Sequence, residues 1–227
     1  MTALLRWRSP EPTATAARVR HQLGLGGGTE AALRPRAAAR RWQKEQRIEL
    51  DGLTIEIVRA DERVDGSPAD ERLELRTEPT GGTGAAGADT APRIVAIGWA
   101  TVEIHRLAAE LGREAAARPD DPLLGARTAL IAGDPPLLLL EPATEGRLAA
   151  SLARFGEGPV ALYVTAAESQ RGMSRVQADL RARGLNVTPV VRGPFGPEVA
   201  VVGGPARGPH LVFCGADEQG PGPGTID

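Results

Sequence analysis

The 227-residue chain predicts an α+β fold in which residues 92 to 215 hold two related strand-and-helix units, preceded by a smaller α+β region. Three observations predict it. Short apolar, β-prone runs alternate with amphipathic helical stretches in the order strand, helix, strands, helix, strand, helix, strands. Residues 77–91 are small, polar and Gly-rich, the composition of a flexible linker, so a domain boundary is expected there. Residues 216–227 repeat Gly and Pro without apolar periodicity and are expected to form a disordered tail.

Taken in order, Leu4 to Arg8 reads as a strand and Thr15 to Leu23 as a helix stopped by Gly24. Ile48 to Leu50 and Leu53 to Val58 flank Asp51-Gly52 as a hairpin, and Leu73 to Leu75 adds a strand, so residues 1–76 are a candidate third, degenerate βαβββ copy. After the linker, Ile94 to Val102 is a strand that runs into a helix over Ile104 to Leu111, closed by Gly112. Strands follow at Ala126 to Ile131 and Pro136 to Glu141. Thr144 is placed to cap a helix with Glu145 in its first turn, whose Leu148, Leu152 and Phe155 share one face before Gly156. Pro159 to Thr165 is the next strand, and Ser174 with Gln177 suggests a capping box for a helix carrying Val176 and Leu180 and ending at Gly184. Pro197 to Val202 and His210 to Cys214 close the run. The order is βαββ(β), linking helix, βαβββ.

Composition narrows the function classes. A net charge of −2 gives no global attraction to nucleic acid or an anionic membrane. The single cysteine, Cys214, cannot form an internal disulfide, and no Cys/His pair has zinc-site spacing, so a reducing, cytoplasmic compartment is expected. The segment MTALLRWRSP has no apolar leader core, and no stretch approaches the ~18 apolar residues needed to span a bilayer. The Arg, Ala, Gly and Pro bias, with Lys44 as the only lysine, suits a GC-rich bacterial genome.

The stretch PLLLLEPATEGRLAASLARFGEGPVALYV, Pro136 to Val164, resembles the middle of methylmalonyl-CoA epimerases and related vicinal oxygen chelate proteins. Asp179 to Leu185, DLRARGL, is similar to that family's second-module helix. The resemblance spans about residues 92–215 and implies paired βαβββ modules in a glyoxalase-like incomplete barrel around a small-molecule cavity. It also implies two histidines and two glutamates on inner strands, holding a divalent metal that acts as a Lewis acid. Those positions fall on Ala96 or Ile97, on Leu138, on Pro159 or its neighbours Val160 and Ala161, and on Val212 or Phe213. None carries a metal-binding side chain. Glu141 matches the second glutamate of the family's Glu-Leu-Leu-Glu-Pro pattern, three residues along and therefore on the opposite strand face.

Tyr163, Trp99 and His210 are the candidates for lining a ligand cavity, each with a packing or strand-end reading beside it. Glu56, Glu141, Glu198 and His210 are the candidates for relocated metal ligands. His21 and His105 read as surface residues and Cys214 as a buried structural thiol. Gly24 to Gly28 follows a helix and lacks a Lys-Ser/Thr sequel, so it is a helix end and not a phosphate loop. The basic run Arg34 to Arg47, with Trp42, reads as a solvated helix face.

The expectation is a glyoxalase-like small-molecule-binding protein that has lost metal-dependent catalysis, in the manner of bleomycin-resistance proteins, with no cofactor and with room for a homodimer. One alternative is a lyase, isomerase or dioxygenase-type enzyme using a divalent metal on relocated ligands. The other is an assembly or regulatory subunit.

Overall fold

A computed structural model describes residues 2–9, 12–25, 46–50, 53–59, 73–78, 92–165, 172–202 and 209–215. Most of the expected linker, all of the expected tail and most of the basic run lie outside these residues. The elements follow the sequence reading closely. The first unit holds β1 (Thr2–Ser9), α1 (Pro12–Leu23), β2 (Gln46–Leu50), β3 (Leu53–Arg59) and β4 (Leu73–Glu78). The second holds β5 (Arg93–Ala100), α2 (Ile104–Glu110), β6 (Ala115–Asp121), β7 (Ala126–Ile131) and β8 (Leu137–Pro142). After the linking helix α3 (Arg147–Phe155) come β9 (Gly158–Thr165), α4 (Met173–Ala182), β10 (Asn186–Val187), β11 (Val191–Gly193), β12 (Gly196–Val202) and β13 (His210–Cys214).

One pairing rule recurs in all three units. In each, the first strand runs parallel to a later strand that is itself the end of an antiparallel pair: β5 with β8 beside β7, and β9 with β13 beside β12. In the N-terminal unit β1 runs parallel to β3, and β2 lies antiparallel to β3. The helix after the first strand supplies the crossover that parallel pairing requires. β5 and β9 join antiparallel, giving a curled nine-stranded sheet in the order β10-β12-β13-β9-β5-β8-β7-β6 with β11 on β12. β4 lies antiparallel on the free side of β1, where β9 lies on β5. Among the described residues the N-terminal unit is thus βαββ plus β4, without a counterpart of β6.

Side-chain alternation divides the large sheet into two faces. The outer face sends Ile97, Leu162, Val164, Val199, Val201, Leu211 and Phe213 into one cluster with Met173, Val176 and Leu180 of α4. The same cluster takes in Leu5, Ala16, Val19, Leu23, Ile48, Ile55 and Ile57, so the N-terminal unit and the second module share a core. A smaller outer cluster seats α2 through Ile104, Leu107 and Ala108 on Ala129, Ile131 and Leu139. The inner face carries Ala96, Ala100, Leu138, Leu140, Ala161, Tyr163, Ala200, Val212 and Cys214, closed by Leu148 of α3 and by Leu124.

Three local expectations are corrected. β6 was not expected as a strand: it is an edge strand whose residues 116–120 are exposed and include Pro119, so neither alternation nor apolarity marks it. Helix α3 starts after Gly146, not at Thr144, and has no side-chain cap. The Thr144 hydroxyl lies against Gly125, where an added Cβ would sit 2.7 Å from it. Helix α4 starts after Gly172, so Ser174 is inside the helix, and Gln177 donates to the Thr188 carbonyl at 2.6 Å instead of completing a capping box. The glycine stops at Gly24, Gly112, Gly156 and Gly184 all have the positive φ that favours this residue.

Candidate functional site

The inner face of the curled sheet is the candidate site. Its centre is built from small side chains: Gly98 lies so close to its neighbours that an added Cβ would sit 2.8 Å from the Ala161 Cβ and 3.0 Å from Tyr163 Cε2. Ala96, Leu138, Ala161 and Val212, positions where the resemblance implies metal ligands, all lie on this face. Among the described residues, no three His, Cys, Asp or Glu side chains converge in a group able to hold a metal ion.

Polar chemistry on this face gathers at one end, where β6, β9, β12 and β13 approach one another. Asp121, fully buried at the end of β6, accepts the backbone N–H groups of Leu123 and Leu124 at 2.8 and 2.9 Å through Oδ1. Its Oδ2 accepts the hydroxyl of Tyr163, itself fully buried. Burial, and then the Asp121 carboxylate, push the Tyr163 phenol well above its ordinary range. Glu198, also fully buried, accepts the Phe195 N–H at 2.8 Å through Oε1, and the Cys214 thiol points at the same oxygen from 3.9 Å. Burial, and then Glu198, raise the Cys214 thiol well above its usual value. A thiol held neutral in this way is a poor nucleophile.

His210 starts β13 on the same face and lies opposite Ala161 in the β9 register. Burial lowers its imidazole pKa, Arg147 lowers it further, and Asp121 acts in the opposite direction. Phe195, in the turn between β11 and β12, stands edge-on to Tyr163 with ring centroids 5.3 Å apart. The Arg118 guanidinium of β6 lies over the Phe195 ring at 5.7 Å. β11 also comes near β6, so the two ends of the curled sheet approach each other.

The structure therefore brings Tyr163 and His210 to one face and sets Trp99 apart. Trp99 packs on the outer face beside α2, and its indole N–H has no acceptor among the described residues. Of the candidate metal ligands, Glu198 and His210 are on the inner face. Glu141 points outward, accepts the Ile104 N–H at 3.0 Å at the start of α2, and pairs with Arg127. Glu56 lies in the N-terminal sheet, where Arg6 donates to it at 2.7 Å. His21 and His105 are exposed. Sequence reasoning missed Asp121, Phe195 and Arg118. The signals present were the turn sequence Asp121-Pro122 and the glycine-bracketed Gly193-Pro194-Phe195-Gly196.

Comparison with known proteins places this geometry. A triple mutant of 4-hydroxymandelate synthase from Streptomyces coelicolor superposes with a TM-score of 0.54 at 12% identity, covering 96% of this chain and 93% of that one. The fold is glyoxalase-like. Methylmalonyl-CoA epimerase from Mycobacterium tuberculosis aligns over 59% of this chain and 93% of its own at 19% identity, with a TM-score of 0.47. A hypothetical protein, BH1468 from Bacillus halodurans C-125, aligns over 57% of this chain and 97% of its own at 22% identity, with a TM-score of 0.46. No family model and no curated protein matches the sequence. None of the described helices is long and apolar enough to cross a membrane.

Proposed function

We propose that this chain is a glyoxalase-like small-molecule-binding protein that holds its ligand on the inner face of the second sheet without a divalent metal. One observation carries the reading: Ala96, Leu138, Ala161 and Val212, on β5, β8, β9 and β13, share that face and offer no lone pair to an ion. Asp121 and Glu198, the buried carboxylates nearby, already accept the hydrogen bonds of the turns they hold. The donor set does not fit the metal that the resemblance implies. Tyr163 and His210 are the polar groups that would orient a ligand, and Trp99 has no part in this because it serves the opposite face.

Elemental analysis of untagged protein, purified with and without added Mn, Co, Ni and Zn, tests this directly. Substoichiometric metal in every preparation is the expected result. About one tightly held ion per chain overturns the reading and returns Glu198 and His210 to the role of relocated ligands.

A further inference from the structure

Tyr163, Glu198 and Cys214 are fully or almost fully buried, and at the β6 end the turn Gly193-Pro194-Phe195-Gly196 packs against Tyr163 and Glu198. That turn belongs to β11, a three-residue strand whose pairing partner is β12, in the register Val191 with Glu198 through Gly193 with Gly196. Pro194 and Pro197 have no backbone N–H to contribute. Gly196 has φ +100°, a conformation that favours glycine and gives the turn a pivot. Gly193 lies directly on the carboxylate beneath it, where an added Cβ would stand 2.1 Å from Glu198 Oε2.

The contacts at the tip are of a kind that can break without unfolding the sheet. Phe195 is only partly buried, and it touches Tyr163 edge-on from inside while Arg118, on an exposed edge strand, covers it from outside. The tip's N–H bond to Glu198 Oε1 ties it to its own strand, β12, so lifting the turn leaves the β12–β13 and β13–β9 ladders intact. By contrast, Leu148 of α3 and Leu124, which also cover the inner face, are buried in an apolar cluster.

We propose that the Gly193–Gly196 turn between β11 and β12 is a gate, with Phe195 as its latch, and that its local opening admits a small molecule to Tyr163, Glu198 and Cys214. This rests on the binding reading given above, and the test below uses no ligand, so the two can fail separately. Cys214 is the only cysteine and lies under the gate, which makes its thiol a unique reporter.

The experiment is the rate at which 5,5′-dithiobis(2-nitrobenzoate) modifies Cys214 in the full chain, measured across urea concentrations below the unfolding transition. For a gate, the rate is nearly flat in low urea, because local opening exposes little surface, and rises only as global unfolding takes over. Phe195→Ala should speed the flat phase roughly tenfold, as expected from losing the aromatic pair and the cation–π contact together. Arg118→Gln should speed it less, and it leaves the interior untouched. A rate that follows global unfolding at every urea concentration overturns the proposal. So does a flat phase that neither variant accelerates. A working gate with no ligand found by screening would leave this inference standing and sink the binding reading instead.

Discussion

The two modules of the large sheet share a pairing plan and bury opposite kinds of chemistry on the inner face. The first module's strands β5 and β8 contribute Ala96, Gly98, Ala100, Leu138 and Leu140, a floor of small and aliphatic groups. The second contributes Tyr163, Glu198, His210 and Cys214, and Asp121 of the first module joins that set from the far end of β6, where the sheet curls back toward β11. A repeated backbone thus does not imply repeated chemistry: the same parallel strand pair is an apolar support in one copy and a hydrogen-bonded polar cluster in the other. The helices differ in a related way. α2 begins on two acids from distant elements, with Glu141 taking the Ile104 N–H and Glu157 the Val102 N–H at 2.8 Å. α4 begins at Gly172 with no side-chain cap.

If the first module's half is purely a packed support, removing apolar volume there should cost more than any change in the polar half. Leu138, fully buried on the inner face of β8, is the residue to test. Leu138→Ala should lower unfolding stability by about 2–5 kcal/mol, the loss of burial plus the cavity left behind. Urea denaturation followed by circular dichroism checks it, and a loss of under about 1 kcal/mol would show that this half is not tightly packed.

The polar half should respond differently, to the loss of a single atom. Tyr163→Phe keeps the ring against Gly98 and Phe195 and removes the hydroxyl that donates to Asp121. The buried carboxylate keeps two backbone donors and loses the third, which should cost about 1–3 kcal/mol. Equal stability of Tyr163→Phe and wild type would show that water or another group replaces the phenol, and hence that the polar half is wetter than its burial suggests. Because Tyr163 is the only tyrosine, its absorbance near 295 nm reports the same point independently: ionisation should be delayed well beyond the ordinary phenol range in the folded protein.

These contrasts explain what was legible in the sequence and what was not. Most strands of both modules and of the N-terminal unit could be read because strands buried on both faces write themselves into the sequence as short apolar runs, as in Leu137 to Leu140 and Val160 to Val164. Alternation put Tyr163 on the face of Ala161 and His210 on that of Val212, and the family resemblance implied that this face is the inner one. Asp121 could not be read as part of a site, because its partner Tyr163 is 42 residues away and brought near only by the curl of the sheet. The start of α3 was misplaced because Thr144 satisfies every local rule for a cap, yet a tertiary contact with the turn at Gly125 claims it. The shared core of α1, β3 and α4 was equally invisible, since each element shows an apolar face and nothing local names the face it meets.

The smallest expected effect separates the two halves by pH. His210 is the one imidazole on the inner face among the described residues, and burial, reinforced by Arg147, holds its pKa below the ordinary 6.5 while Asp121 only partly opposes this. The folded state therefore favours the neutral ring, and the unfolded chain binds the proton first as pH falls. The histidine's contribution to stability is complete above pH 6.5 and is lost as the pH drops from there through the lowered folded value. His210→Gln should remove that component, so the difference in melting temperature between wild type and variant should be constant at neutral and alkaline pH and shift against wild type below about 6.5. Leu138→Ala, made in the apolar half, should show no such pH-dependent difference from wild type. A pH-independent offset for His210→Gln would mean that the ring is as easily protonated in the fold as in water. The polar end of the inner face would then be open to solvent even with Phe195 in place.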